Sequence, residues 1–600
     1  MIAALVLFYL LLLSGSIYCC ARYDCAVGDV LPLTAIGSVF FLFLFGLLGL
    51  LRVGFYCLLV LAAAAFLFSA LYLFRTKSAR RFVSRFFRFD FFLFTACFLV
   101  LLVLNFGRRV MAWDDLRHWG DVVKVMTLYD VFSSNPLAHS MFPEYPPGMA
   151  LFQYYFQKTL LLFRIGSGMT EWAAFFCYQI FCLLLFFPFL KPPSRGRVSW
   201  CLWLLLLLLC PFVYFPSAHS KLMIDLFLAS LFSCTLAHVF LPPRKGPLYH
   251  LSVCFGIGML ALTKTSGLLL GLLAAGVYLL AGRYPPPHTQ DSNKLLRRAA
   301  AALCFVFVPT LLWQLSVRAG GQPRAFSLQF GAADSAYRIE SLRQFILRFF
   351  SQNILDAGAV VTQLTAIFLA AVLLSGLYFT CRRSGKLSPG DETLYRALFW
   401  TLPGILVVYS LALCFSYLFS FSPEEAVIVA SFPRYIKLIF LALSQLLILM
   451  WIRLAGQDAH SGSRVLALLL CAETALLPWQ EVLYHFSRSN VQYSIEQRSP
   501  SDRITDLLRS AGAEHGDVVW VVSGDPTFYM LIRFDLRDCT VEIPSWSPET
   551  PAAECDYLIL QDYDDDFPPR YGPLFRDPSE IHPGGAYRLD PDSRLFTEIK

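Results

Sequence analysis

A succession of apolar runs, each near the roughly 20 residues that cross a bilayer as a helix, constrains this chain more than any other feature. They fall near 3–20, 32–51, 54–74, 90–107, 172–190, 199–216, 221–240, 249–263, 266–282, 299–317, 362–381, 397–417, 436–453 and 464–480. Backbone groups in hydrocarbon must find their partners inside the protein, so runs of this length read as helices, about fourteen in all. The composition agrees: 57% of the residues are hydrophobic and 15% charged, with a mean hydropathy of +0.58. A net charge of +7 invites a nucleic-acid reading. The Lys and Arg, however, gather in short loops between apolar runs, where they orient a membrane protein. The lipid bilayer is therefore an expected partner and nucleic acid is not.

The loop 75–88 holds six basic residues and no acid, which places it in the cytoplasm. Basic loops at 191–197, 244–245, 283–298, 382–396 and 453–464 fall at the alternate positions. Segments 108–171, 318–361, 418–435 and the tail from 481 are then expected outside. The first run lacks the basic n-region of a signal peptide and reads as a helix. No Asn-x-Ser/Thr sequon occurs, which is compatible with a bacterial plasma membrane.

Beyond Trp479 the chain changes character. Residues 501–512 read as a capped amphipathic helix, and 517–522 and 555–560 as short β-rich runs, so a small extracytoplasmic α/β domain is expected over 481–600. Cys539 and Cys555 lie in this tail, where an oxidising compartment would permit a disulfide. The run Asp562-Tyr-Asp-Asp-Asp566 lacks the Gly turn and closing Glu of a calcium loop and reads as a solvated acidic loop.

The most informative stretch between the apolar runs is Ala112-Trp-Asp-Asp-Leu-Arg-His-Trp-Gly120, followed by Glu144-Tyr-Pro-Pro-Gly148. Leu116, Trp119, Val123 and Met126 recur at helical spacing, with Asp114, Arg117, His118 and Asp121 on another face. This predicts an amphipathic helix along the membrane surface, its apolar stripe on lipid or the bundle. A second interfacial helix starts at Pro146-Pro147. On spacing alone, Asp114-Asp115 reads equally as a helix cap.

These residues resemble a family. Asp-Asp-x-Arg-His is similar to the Asp-Glu-x-Arg-Tyr pattern in the first outer loop of polyprenyl-phosphate-sugar transferases, including the lipid A aminoarabinose transferases and, more loosely, the protein O-mannosyltransferases. Glu-Tyr-Pro-Pro-Gly resembles their Lys-Pro-Pro motif. This is the C-type (GT-C) superfamily of membrane glycosyltransferases, and the resemblance covers roughly 90–600. It departs at Asp115, where Glu is usual, at Tyr145, where Lys is usual, and in the three spans that precede the family-like first one. The layout implied is 1–89, additional transmembrane helices and a basic cytoplasmic loop; 90–480, a GT-C-like catalytic module with outer loop 108–171; and 481–600, the α/β domain. The fold class is mainly α, a polytopic membrane protein.

The resemblance implies an inverting glycosyltransferase with a polyprenyl-phosphate-linked sugar donor and a glycan, lipid or protein acceptor. Such transfer needs a base for the acceptor hydroxyl and cations around the departing phosphate. Asp114 matches the first acid of the motif, whereas an ungapped match to the mannosyltransferase form Asp-Glu-x-His-Phe-Gly moves the role to Asp115. Arg117, Lys264 and Arg434 are the phosphate candidates, because an ionisable residue in an apolar run is expensive and marks function. Snorkelling to the interface is the alternative for Lys264 and Arg434. His118, Lys124, Glu144, Tyr145, Lys221 and Asp225 complete the substrate-binding set, Lys221 and Asp225 forming either an i,i+4 ion pair or a cavity wall. His139 and the other histidines show no ligand spacing, no zinc cluster is visible, and a monophosphate donor demands no cation, so no metal or cofactor is expected. A transporter or lipid flippase would show paired halves with broken helices. A lipid-pyrophosphate glycan polymerase would use Arg324, Arg338, Arg343 and Arg348, which an exposed amphipathic helix would equally carry.

Overall fold

Every apolar run forms a helix: Ile2–Arg22, Val27–Leu47, Leu51–Thr76, Phe89–Asn105, Glu171–Leu184, Arg197–Tyr214, Asp225–Phe240, Pro247–Thr263, Gly267–Arg283, Ser292–Ala319, Gln363–Arg383, Pro389–Phe419, Phe432–Ala455 and Ser461–Leu476. The computed structural model describes residues 1–600 except 24, 139, 167, 193–196, 218, 242–245, 284–291, 322–334, 356–360, 384–388, 456–460 and 545–553. His139 and Arg324 thus lie outside the described residues.

By length and composition, eight of the described helices can cross a membrane, or ten if two bent pairs each count as one span. Asp225–Phe240, Pro247–Thr263 and the apolar parts of Gly267–Arg283 and Gln363–Arg383 are shorter. At 1.5 Å per residue a 16-residue helix reaches only about 24 Å. The expected span from 221 is corrected here, since its helix begins at Asp225. Between Pro247–Thr263 and Gly267–Arg283 the chain breaks at Lys264, whose backbone is extended. The polar residues sit where these helices stop short.

One apolar core joins the bundle. Val27–Leu47 packs on Gly148–Leu162, Pro247–Thr263 and Glu171–Leu184, so the first three helices are woven into the rest. At one end Gly28 N–H donates to Asp90 (2.6 Å) and Lys191 pairs with Asp29 (3.1 Å). At the other end meet 108–171, 215–224, 431–434 and the tail.

The tail begins with Ser489–Ser510, longer than its expected 501–512, so that Ser501 is a buried interior residue and not a cap. A five-stranded sheet follows: β1 (Val518–Val522), β2 (Thr540–Glu542), β3 (Tyr557–Leu560), β4 (Gly585–Leu589) and β5 (Phe596–Glu598), in the order β2-β1-β3-β4-β5. β1 runs parallel to β2 and β3, while β3, β4 and β5 are mutually antiparallel. The period-two alternation of a strand sends Val519 and Val521 to one face, against Ile504, Leu508 and Ile532, and Trp520 to the other, with Leu558 and Phe567. Cys539 belongs to the first face and Cys555 to the second, so the pairing that the sequence left open is not made across the sheet. Asp562, Asp564, Asp565 and Asp566 are solvent-exposed.

Candidate functional site

The polar stretch 112–120 folds as a π-helical turn, Asp115–Trp119, running into the α-helix Gly120–Tyr129. Gly120 N–H closes the turn on the Asp115 carbonyl. A β-carbon at 120 would lie 2.9 Å from that carbonyl and 3.5 Å from Phe534, so the wide turn needs glycine there. Single π turns recur at functional sites because they re-aim side chains that a regular helix would stack.

The expectation of a surface-lying amphipathic helix is corrected by burial of both its apolar and its polar face beyond Asp114. Leu116, Val123 and Met126 are in the core, yet Asp115, His118 and Asp121 are buried too. The second helix, Gly148–Leu162, is likewise buried rather than interfacial. Its first residue approaches the end of Pro247–Thr263 so closely that a β-carbon at Gly148 would stand 2.6 Å from the Leu262 carbonyl.

The two adjacent acids part company. Asp114 is 51% exposed and its carboxylate lies 3.1 Å from the Arg434 guanidinium; it makes no side-chain cap bond to the turn that follows, so the capping alternative is not what the structure holds. Asp115 is fully buried and accepts the Leu222 N–H (2.9 Å). Burial pushes the Asp115 carboxyl up to about 7, against the opposing Leu222 hydrogen bond; Asp114 raises it further, while Lys221 and Arg108 pull it down.

Behind Asp114 runs an alternating chain of charges from four segments. Arg434 also reaches Asp225 (3.3 Å), and Asp225 accepts from Lys264 (2.7 Å). The Lys264 ammonium is almost fully buried and lies over the Tyr435 ring at 5.4 Å. Lys264 has therefore not snorkelled to the interface. Asp225 pairs with Lys264 and Arg434, so the i,i+4 reading with Lys221 is corrected: Lys221 precedes the helix and is exposed, and its charge bears on Asp115. A cavity of about 320 Å³ opens beside Arg434, lined among others by Phe215, Ser217, Met223, Ser431 and Lys437. Lys437, three residues along the same helix, escaped the sequence reading, although a Lys within the first turn of an apolar run is the same signal that marked Arg434.

Tyr145 stacks between Trp119 (5.6 Å) and Phe142 (5.5 Å), and His118 meets all three rings edge-on. Burial, aided by Lys264, lowers the His118 imidazole to about 3, so it is neutral at ordinary pH. Glu144 is buried and its carbonyl accepts from Trp313 (2.8 Å). Arg117 is placed differently from its expected role, donating to Met141 sulfur (3.4 Å) with its guanidinium over Trp113 and Phe142. Lys124 is also elsewhere: its ammonium lies over Phe534 and donates to the Asp535 carbonyl (3.3 Å).

Arg108 was missed, being the residue just past an apolar run. Its buried guanidinium donates to the carbonyls of His219 (3.1 Å) and Ser220 (2.8 Å), fixing the segment that presents Leu222 to Asp115. Arg343 sits exposed and paired with Glu340 (3.3 Å), and Arg348 donates to the Val429 carbonyl (3.5 Å), as residues of an amphipathic helix do. Among the described residues no three His, Cys, Asp or Glu converge as metal ligands.

A second cavity, also about 320 Å³, is walled almost wholly by apolar side chains between Arg197–Tyr214, Gln363–Arg383, Pro389–Phe419, Phe432–Ala455 and Ser461–Leu476, with Glu473 as the one carboxyl in its lining. It is as roomy as the charged cavity, and Glu473 shares its lining with Cys210, Tyr214 and Ser444, the last two hydrogen-bonded to each other (2.7 Å).

The chain is similar to ArnT from Cupriavidus metallidurans in two solved structures. The crystal structure bound to undecaprenyl phosphate is 16% identical with a TM-score of 0.42, covering 75% of this chain and 85% of that one. The apo crystal structure is 15% identical, also at 0.42, covering 81% and 94%. No family model matches the chain, and no curated protein does.

Proposed function

We propose that this membrane protein is an inverting glycosyltransferase that moves a sugar from a polyprenyl-phosphate donor to an acceptor hydroxyl. The observation that carries the reading is the charge chain Lys264–Asp225–Arg434–Asp114, which ends in one accessible carboxylate beside a cation-lined cavity. The local Asp-Asp-x-Arg-His pattern supports it.

In this reading Asp114 is the general base and Asp115 is not, because a fully buried carboxylate engaged by a backbone N–H has no access to an acceptor. The acceptor oxygen attacks the anomeric carbon as its proton passes to Asp114. The bond from that carbon to the phosphate oxygen breaks, and polyprenyl phosphate departs with the electron pair. Arg434 and Lys437 hold the phosphate, and Lys264 keeps Asp225 charged and Arg434 aimed. A phosphate that engages Arg434 competes with Asp114 for it and so frees the base. The apolar cavity lies along the same helix, Phe432–Ala455, deeper than Arg434, and suits the hydrocarbon of a polyprenyl lipid. The outer loop and the tail share one side of the membrane, by the basic loops the extracytoplasmic side of a bacterial plasma membrane.

Asp114→Asn keeps the size of the side chain but cannot take up the proton. Transfer by purified protein with a polyprenyl-phosphate sugar should fall by ~10²–10⁴, with donor binding retained. Near-normal turnover in Asp114→Asn would remove the mechanism; a loss confined to Asp115→Asn would transfer the role to that residue.

A further inference from the structure

We infer that the C-terminal domain is a clamp that sets the geometry of the acidic turn, with Arg537 as its positioning residue. The inference rests on the proposed role of Asp114. Charged groups that this role leaves unused join the tail to residues 108–121.

The tail grips the chain just before and just after the turn. Upstream, the Arg109 guanidinium is held by both oxygens of Asp502 (3.0 and 2.7 Å) and by Glu171 (2.8 Å). The next N–H, of Val110, donates to Glu171 (2.6 Å). Arg498, fully buried in the first tail helix, donates to the Val110 carbonyl (3.3 Å) and pairs with Asp535. Downstream, Arg537 engages both oxygens of Asp121 (2.6 and 3.3 Å) and also the Ala138 carbonyl. Asp121 and Arg537 are 4% and 7% exposed, so little solvent screens the pair. Tyr129 donates to the Arg537 carbonyl (3.3 Å), closing the contact from the loop side.

Between these anchors lie residues 111–120, the stretch that carries Asp114 and Asp115. Its last residue is touched as well: Phe534, from helix Pro526–Asp535, packs where Gly120 has no side chain. Met530, Leu531 and Phe534 belong to the same apolar core as the membrane helices. A π turn lacks the regular i→i+4 ladder, so its shape depends on what holds its two ends. The acids are thus aimed by residues more than 370 positions later in the chain.

Arg537→Ala and Arg537→Lys in the full-length protein test this, with Arg509→Ala as control, since Arg509 pairs with Asp538 at the tail surface. Hydrogen exchange across 111–121 and steady-state transfer are read together. Displacement of a reacting group by about 1 Å costs on the order of 10²-fold in rate. Arg537→Ala should therefore speed exchange in 111–121 and lower kcat ~10–100-fold with donor KM nearly unchanged, Arg537→Lys should fall between, and Arg509→Ala should match wild type. Unchanged exchange in 111–121 overturns the clamp. Faster exchange with normal kcat, or a loss expressed in KM alone, overturns positioning of the acids. Should Arg537→Ala not fold, Arg537→Lys carries the same comparison. Wild-type protein without transfer activity would end the glycosyltransferase reading, and exchange alone would then decide the clamp.

Discussion

The charge chain beside Asp114 and the network between tail and loop use the same residue types to opposite ends. In the network, Arg498 and Arg537 are sunk in protein, each with several oxygen partners, although the Arg498 Nε–H and one Asp535 oxygen stay without hydrogen-bond partners. In the charge chain, saturation decreases outward: Lys264 and Asp225 are buried and paired, Arg434 is 28% exposed, and Asp114 is 51% exposed. The Arg434–Asp225 contact at 3.3 Å is an ion pair without good hydrogen-bond geometry, leaving the Arg434 Nε–H and one Asp225 oxygen without hydrogen-bond partners. Buried charge with several partners fixes shape, because removing one partner strands the other. Charge that ends at a cavity still has capacity for a ligand.

The largest effect expected from this contrast is on the network. Arg498→Met should destabilise the protein by about 3–5 kcal/mol, the cost of stranding buried carboxylates, seen as a lower melting temperature in detergent. A stability loss indistinguishable from that of Arg434→Ala would erase the distinction between the two regions.

Arg434→Ala should do the reverse, leaving the fold nearly intact and weakening donor use by about 1.5–3 kcal/mol, the contribution of a hydrogen bond to a charged group. Lys437→Ala should act in the same direction. Lys264→Met should affect both stability and donor use, since it leaves Asp225 without its nearest cation. Donor kinetics untouched in all three variants would make the charge chain a structural feature like the network.

A further, graded effect concerns pH. Asp115 has a folded pKa of about 7 against an ordinary 3.9. Between these values the folded protein binds more protons than the unfolded chain, so Asp115 lowers stability as pH rises through that window, by up to about 1.4 kcal/mol per pH unit. Asp115→Asn should flatten the fall in stability from pH 5 to pH 7 relative to wild type, and an identical slope would show that Asp115 titrates normally. Arg343→Gln, on an exposed helix, should change neither stability nor transfer; a loss of transfer there would favour the pyrophosphate-using alternative.

Legibility in the sequence followed locality. The helices could be read as elements because hydrocarbon imposes one solution on a long apolar run, although ends shifted where a helix runs on into a polar loop, as Pro389–Phe419 does against an expected start at 397. The exceptions are instructive. Residue 221 was taken into a helix that begins at Asp225, since nothing in the local sequence says that a loop must dip there to bring Leu222 to Asp115. The strands of the tail showed through β-rich runs, but Ser501 was misread as a cap because the helix extends far upstream of it. Asp114, Asp225, Lys264 and Arg434 were each conspicuous as charges beside apolar runs. Their assembly into one chain was not, because each comes from a different segment. Arg117 and Lys124 carried the same local signal and went elsewhere, to an aromatic pair and to the tail.

The sequence by itself determined the membrane-helical architecture, the small mixed domain at the end, and the stretch where unusual polarity concentrates. Those properties are set by burial of apolar area and by backbone satisfaction, which neighbouring residues share. Only the tertiary structure separated Asp114 from Asp115, turned Lys264 inward onto Asp225, and brought Arg537 to Asp121. Access and charge pairing depend on distances between residues remote in the chain, and no periodicity encodes them.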